Sequence, residues 1–286
     1  MFHHRTAIFC ICIYVIQYCE GNLVDLSHDV SEDAHHWLEG VPFTRTVLAK
    51  GYSPKGFWYE ANSFCMSEHT STHLDAPSHF AEGKWRVHEI PIEHLIGPGV
   101  VIDITSKVAK NHTAELSTDD LMSWLNEHGP LPDGVIVLVY TGWDKRYGNK
   151  KDYFGTDTND TSNLVYPGVS PGAAQILASY EAANGNKVVG VGLDSPSLDH
   201  GPSKLYEAHQ AIFKANIYAL ENVANLGKLP TKGFQVSVMP MKIRGGSGAP
   251  ARVVATLPDA SRASAGITSV VSLLLLSTFL HLFREL

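Results

Sequence analysis

The 286-residue chain is poor in cysteine: it has four, and Cys10, Cys12 and Cys19 fall within an apolar leader. Only Cys65 is left for the body, so no internal disulfide can staple the fold and the core must hold by packing. A lone cysteine of this kind reads as a small buried hydrophobe. Blocks of lysine and arginine are also missing. With a formal net charge of -7, this excludes the electrostatic footprint of a nucleic-acid binder or of a body that docks on anionic lipid. A small neutral or cationic partner fits better. There are no internal repeats and no low-complexity stretches, which excludes solenoids and long disordered tails. The ordinary apolar and glycine content points to one compact α/β domain.

Both ends have the layout of processing signals. Met1 to Arg5 is short and basic, Ala7 to Val15 is apolar, and polar or small residues follow, so residues 1–21 are expected to be a secretory signal peptide. Ile267 to Phe283 is almost wholly apolar and is preceded by Asp259, Ala260 and Ser261. Residues 259–286 are therefore expected to be either a GPI-attachment signal or a retained membrane anchor, and to put the protein at the cell surface. Residues 22–258 would then be the folded domain. Asn111 and Asn159 stand in glycosylation sequons that the secretory lumen could use.

Within the body, apolar runs alternate with helical patterns. Leu23 to Leu26 reads as a strand and Val41 to Lys50 as extended chain. Gly97 to Ile104 and Gly134 to Tyr140 read as strands, and Thr118 to His128 as a capped helix. Asp144 to Tyr166 reads as a long surface loop. A helix is expected from Ser170, its N-cap, through Asn184, followed by a buried strand at Lys187 to Leu193. The order β, α, β, α, β predicts an α/β fold whose strand ends present loops for chemistry.

The densest chemistry is the run HTSTHLDAPSHF, which sets His69, His73, Asp75 and His79 within eleven residues. Three imidazoles and a carboxylate this close suit a metal-activated water better than a packing role. Farther on lie His209 and Glu221. In one continuous helix they would stand about 18 Å apart along the axis and out of phase. The composition changes at Ala215 and Asn216, however: His209 to Phe213 suits a helix, and Ile217 to Leu220 suits a short strand ending at Glu221. A turn at Asn216 could bring the two side chains together, although a helical histidine and a glutamate are more often surface residues. Phe57, Trp58, Tyr59, Phe64 and Trp85 flank the run and read as core, or as walls of a pocket for a planar substrate. Asp194, Asp199 and His200 follow the last buried strand, where they could face a site or act as caps.

The run from His69 to His79 resembles the HxGTHxDxPxH signature of the cyclase family, which includes bacterial kynurenine formamidases and isatin hydrolases. The likeness extends from DLSHDV at Asp25, through TGW at Thr141, YPGVSP at Tyr166 and GLDSPSLD at Gly192, to MKIRGGSGAPARVVA at Met241. It implies a single-domain swivelling β/β/α fold and a homodimer or homotetramer. It also implies two divalent metal ions held by His69, His73, Asp75, His209 and Glu221, with His79 as the catalytic acid/base. Five imidazole and carboxylate ligands with no thiolate fit zinc or manganese. The implied reaction is arylformamidase-like hydrolysis of an amide C–N bond, N-formyl-L-kynurenine plus water giving L-kynurenine and formate in tryptophan catabolism. Two other readings stay open: ring opening of an isatin-type cyclic amide, and a non-catalytic cell-surface binding module on the same fold. One position departs from the signature, for Ser71 stands where the family has glycine.

Overall fold

The computed structural model describes residues 22–258. The expected signal peptide at 1–21 and the expected anchor at 259–286 lie outside the described residues, as do Cys10, Cys12 and Cys19. The strands are β1 (Leu23–Asp25), β2 (Thr44–Tyr52), β3 (Trp58–Cys65), β4 (His73–Asp75), β5 (Ile96–Asp103), β6 (Glu115–Leu116), β7 (Val135–Tyr140), β8 (Gly168–Val169), β9 (Val188–Leu193), β10 (Tyr218–Glu221), β11 (Lys232–Pro240) and β12 (Gly248–Thr256). The helices are α1 (Thr105–Val108), α2 (Thr118–His128), α3 (Lys150–Phe154), α4 (Pro171–Ala178), α5 (Tyr180–Asn184) and α6 (Glu207–Lys214).

The main sheet closes on itself. Strands β12, β11, β5, β7, β9, β10 and β4 pair in that order, and β4 returns to pair with β12. β12 is long enough to hold two partners on one edge, β4 along Gly248 to Pro250 and β1 along Val254 to Thr256. β5, β7, β9 and β10 run parallel, as crossover helices require, and the remaining pairings of the ring are antiparallel.

Alternation along β7 shows how the sequence makes two cores. Val135, Val137 and Val139 point to the helices and pack with Leu121, Trp124, Leu177 and Phe213. Ile136 and Leu138 point into the ring with Leu74, Val189, Leu220, Val236 and Val253. Each such side chain, fully buried, contributes about 1.5–3 kcal/mol. Helix α2 begins where the sequence places it: Ser117 Oγ accepts from Asp120 N at 3.2 Å, and the Asp120 carboxylate accepts from Ser117 N at 2.8 Å. Gly129, with φ 84°, ends it.

Four expectations are corrected. The helix from Ser170 breaks at Ser179, whose hydroxyl donates back to the Gln175 carbonyl at 2.8 Å and competes with the helical ladder. Asp144 to Tyr166 is no simple surface loop: it contains α3, and Tyr153, Phe154 and Tyr166 are buried. Cys65 is exposed. Phe57, Trp58, Tyr59 and Phe64 are neither core nor pocket wall, for they sit exposed on β3 and on the turn that joins it to β2, strands that pair only with each other. Trp85 does pack against the core inside the ring.

Candidate metal centre

The shortest strand of the ring carries the chemistry. In β4, His73 and Asp75 are two residues apart and share one face, while Leu74 between them points into the core. Across the ladder to β10, Glu221 lies opposite His73 and the small Ala219 lies opposite Asp75. On the other edge, Gly248 of β12 lies opposite Asp75, and a Cβ there would come within 2.5 Å of the His69 ring. That glycine leaves room for His69.

His209 arrives from a different direction, on α6. The helix ends at Ala215, Asn216 turns the chain with φ 58°, and β10 begins at Tyr218. Asparagine is among the few residues that tolerate this left-handed conformation, so the break anticipated at Asn216 is real. It brings His209 Nε2 to 3.0 Å from Glu221 Oε1 and 3.5 Å from Asp75 Oδ2.

All six side chains singled out from the sequence therefore converge. His69 Nδ1 is 2.6 Å from Asp75 Oδ1, and His73 Nε2 is 3.1 Å from the same oxygen and 3.4 Å from Glu221 Oε2. One ring nitrogen each from His69 and His79 lies within 4.8 Å of an Asp75 oxygen and of the other ring, and His73, Asp75 and Glu221 form a second such group. Asp75 is common to both. His79 ends a short turn after Pro77, and its ring stacks on His69 with centroids 4.1 Å apart.

The electrostatics ask for positive charge. Burial works against a charged His73, yet Asp75 and Glu221 outweigh it and push its pKa up to about 10. His209 is likewise raised well above the usual value, with Asp199, Asp75 and Glu221 overcoming burial. Asp75 is held well below the carboxylate range because His69 and His73 outweigh its desolvation. Burial, only partly offset by Asp75, pushes His79 down to about 4, so that ring is uncharged at neutral pH.

The donor set fits divalent metal ions. His73 Nε2 is buried, has no hydrogen-bond partner and faces two carboxylate oxygens, while its Nδ1 is satisfied by the Ser71 carbonyl at 2.9 Å. Nitrogen and oxygen ligands without sulfur suit zinc or manganese.

Around the cluster the structure decides the roles that the sequence left open for Asp194, Asp199 and His200, and adds Asn222, which the sequence did not single out. Asp199, left open between site and cap, accepts from His209 Nδ1 at 2.6 Å and from His209 N at 3.1 Å, fixing the ring. Asn222, buried and at φ 55°, donates to the Ser71 carbonyl at 2.8 Å and accepts from Tyr153 Oη at 2.8 Å. Its only sequence signal is its place after Glu221. Asp194 serves structure instead, accepting from Thr141 N, Thr141 Oγ1 and Trp143 N. His200 pairs with Glu115 at 3.0 Å. A cavity of about 370 Å3 opens above the cluster, walled by His35, Trp37, Phe80, Phe154 and Tyr206.

The family profile described as "Putative cyclase" matches residues 24–200. The chain belongs to the cyclase family. Over 217 residues it is 32% identical to isatin hydrolase of Roseibium aggregatum, covering 73% of this chain and 79% of that one. Kynurenine formamidase of Geobacillus thermodenitrificans is 29% identical over 231 residues, covering 80% and 94%. Among solved cyclase-family structures, isatin hydrolase A from Labrenzia aggregata bound to benzyl benzoate superposes with TM-score 0.74 at 32% identity, covering 83% of this chain and 94% of that one. An isatin hydrolase bound to the product analogue thioisatinate gives 0.72 at 28% identity, with 84% and 94% covered. The expected single-domain α/β cyclase fold is thus shown, here as a closed mixed sheet with its helices outside.

Proposed function

We propose that this cyclase-family chain hydrolyses the C–N bond of a small aromatic amide, as in release of formate from an N-formyl arylamine such as N-formyl-L-kynurenine. The observation that carries this reading is the convergence of two histidine–carboxylate groups on the shared Asp75 at the floor of an aromatic-walled cavity. His69, His73, Asp75, His209 and Glu221 would hold two divalent ions, zinc or manganese. Such ions, when bound, make water acidic near neutral pH and polarise a substrate carbonyl.

The chain's own groups do the rest. The Ser71 carbonyl fixes His73 with its proton on Nδ1, and Asp199 does the same for His209, so both rings present Nε2 to the cluster. His79 borders the cavity beside His69, which supports its role as the base that would take a proton from water and return it to the leaving nitrogen. Water adds to the carbonyl carbon, the C–N bond breaks, and acid and amine leave. Phe80, Trp37 and Tyr206 suit the planar ring of the substrate.

Ring opening of an isatin-type cyclic amide is the second reading, favoured by the 32% identity to isatin hydrolase. The test uses purified full chain, stripped of metal and reloaded with zinc or manganese, assayed for formate release and for ring opening. Metal-dependent turnover that His73→Ala abolishes together with metal content is expected. Full turnover in that variant sinks the reading, and bound metal without turnover of either amide favours a binding module. For the ends of the chain, export and surface anchoring rest on the apolar runs Ala7–Val15 and Ile267–Phe283. Sequencing the mature N-terminus and releasing the protein with phospholipase C test them.

A further inference from the structure

Glu68 and Ser247 have no role in the centre described above, yet they reach it from behind. Ser247 N and Ser247 Oγ both donate to Glu68 Oε2 at 2.9 Å, and Gly248 N donates to the same oxygen at 3.3 Å. Ser247 Oγ also lies 3.2 Å from His69 Nε2. The hydrogen in that last contact can be placed. A carboxylate oxygen has none to give, so the single hydroxyl hydrogen of Ser247 points to Glu68 and only lone pairs are left towards the ring. His69 is therefore the donor, with a hydrogen on Nε2. The nitrogen it turns to the cluster is Nδ1, 2.6 Å from Asp75 Oδ1.

We propose, resting on the metal reading of the centre, that Glu68 and Ser247 are positioning residues that commit His69 to bind its ion through Nδ1. His73 and His209 do the opposite, for the Ser71 carbonyl and Asp199 hold them on Nδ1 and leave Nε2 to the cluster. The carboxylate behind the hydroxyl strengthens the hold on His69. Glu68 draws the hydroxyl hydrogen, which makes the Ser247 oxygen a better acceptor and raises the electron density on Nδ1. The backbone keeps this relay beside the ligand strand, since the Ser247 carbonyl accepts from Ala76 N at 2.8 Å and Gly248 lies opposite Asp75. Glycines on both sides of Ser247 make the room: a Cβ on Gly246 would come within 3.1 Å of Glu68 Oε1, and one on Gly248 within 2.5 Å of the His69 ring. His79 stacks on that ring, so the relay also fixes the face against which the acid/base group lies.

Two measurements on the full chain test this, and neither is turnover. A crystal structure of the zinc-loaded protein, with the ions located by their anomalous scattering, shows which nitrogen of each ring is bonded. Nδ1 of His69 is expected, beside Nε2 of His73 and His209; Nε2 of His69 on the ion overturns the proposal. Competition for zinc with a coloured chelator is the second. Ser247→Ala should weaken zinc binding about 10–100-fold, while the metal-stripped variant keeps the wild-type thermal midpoint because Ser247 N still bonds to Glu68. Ser247→Thr, which retains the hydroxyl, should bind zinc like wild type, and Glu68→Gln, an acceptor without charge, should fall between. Zinc affinity unchanged by Ser247→Ala, or not restored by Ser247→Thr, overturns the relay alone. A wild type that takes up no zinc overturns the metal reading and the relay together.

Discussion

Ser71 shows how much one position carries. It takes φ 58°, the conformation that explains a glycine at this place in the family signature, and its hydroxyl compensates by reaching the Asp29 carbonyl at 3.0 Å and the His28 carbonyl at 3.1 Å. Tyr147 Oη adds a contact at 3.3 Å. Ser71→Gly removes about 1 kcal/mol of left-handed strain and about 1 kcal/mol of hydrogen bonding, so its urea midpoint should stay close to wild type. Ser71→Val gains nothing and pays the strain of a branched side chain, a loss of about 2 kcal/mol or more. Asp199 is the other telling residue. Asp199→Ala should weaken metal binding about 10–100-fold by freeing the His209 ring, and competition with a coloured chelator reads this directly. Asp199→Asn, which still accepts a hydrogen bond, should fall between.

At the scale of elements, the joint between α6 and β10 governs the site, because it decides whether His209 and Glu221 meet. Asn216 holds it through its φ of 58° and through its Oδ1, which accepts from Trp85 N at 3.3 Å. Asn216→Gly should cost only about 1 kcal/mol, the value of that bond. Asn216→Ile adds the left-handed penalty of a β-branched residue, about 1–2 kcal/mol more, and should lower metal content as well as thermal midpoint. This joint was legible in the sequence because the composition switches from helical spacing to a short apolar run. The caps of α2 and the strands around it were legible for the same kind of reason. The isolation of the β2–β3 hairpin was not. Its aromatics mark strands, but periodicity says nothing about which sheet those strands will join. The buried aromatics of residues 144–166 were hidden too, since polar neighbours mask three rings that tertiary contacts pull inward. Asp199 was visible as a residue and not as a partner, because a hydrogen bond ten positions away has no fixed signature in sequence.

The molecule as a whole is set against acid. Burial, with Asp144 opposing, holds His28 down at about 4, and His35 is also lowered by burial. An unfolded histidine binds its proton near 6.5, so below that pH the unfolded chain takes up protons that the native state refuses. Stability from these two residues is therefore complete above about 6.5 and drains away as pH falls towards 4. Asp194, pushed up to about 6 by burial, acts in the opposite sense over part of that window. Away from the metal ligands it is one carboxyl against His28, His35 and His94, which burial also lowers, while the lowered Asp199 titrates below this window. In protein loaded with zinc, where His73 and His209 would hold the metal in place of a proton, the denaturation midpoint in urea should accordingly drop between pH 7.5 and pH 5. A midpoint that rises over that interval would show that Asp194 dominates.

Because β4 is three residues long and pinned on both edges, its reading frame is locked. One amino acid inserted between His73 and Asp75 would swing an acid into the greasy interior and turn Leu74's neighbour outward. The twelve-position gap from His209 to Glu221 passes through one tight turn at Asn216, and β10 beyond it is held in register by β4 and β9, so a residue added there would part the two ligands. Descendants of this gene that keep the centre should keep both spacings.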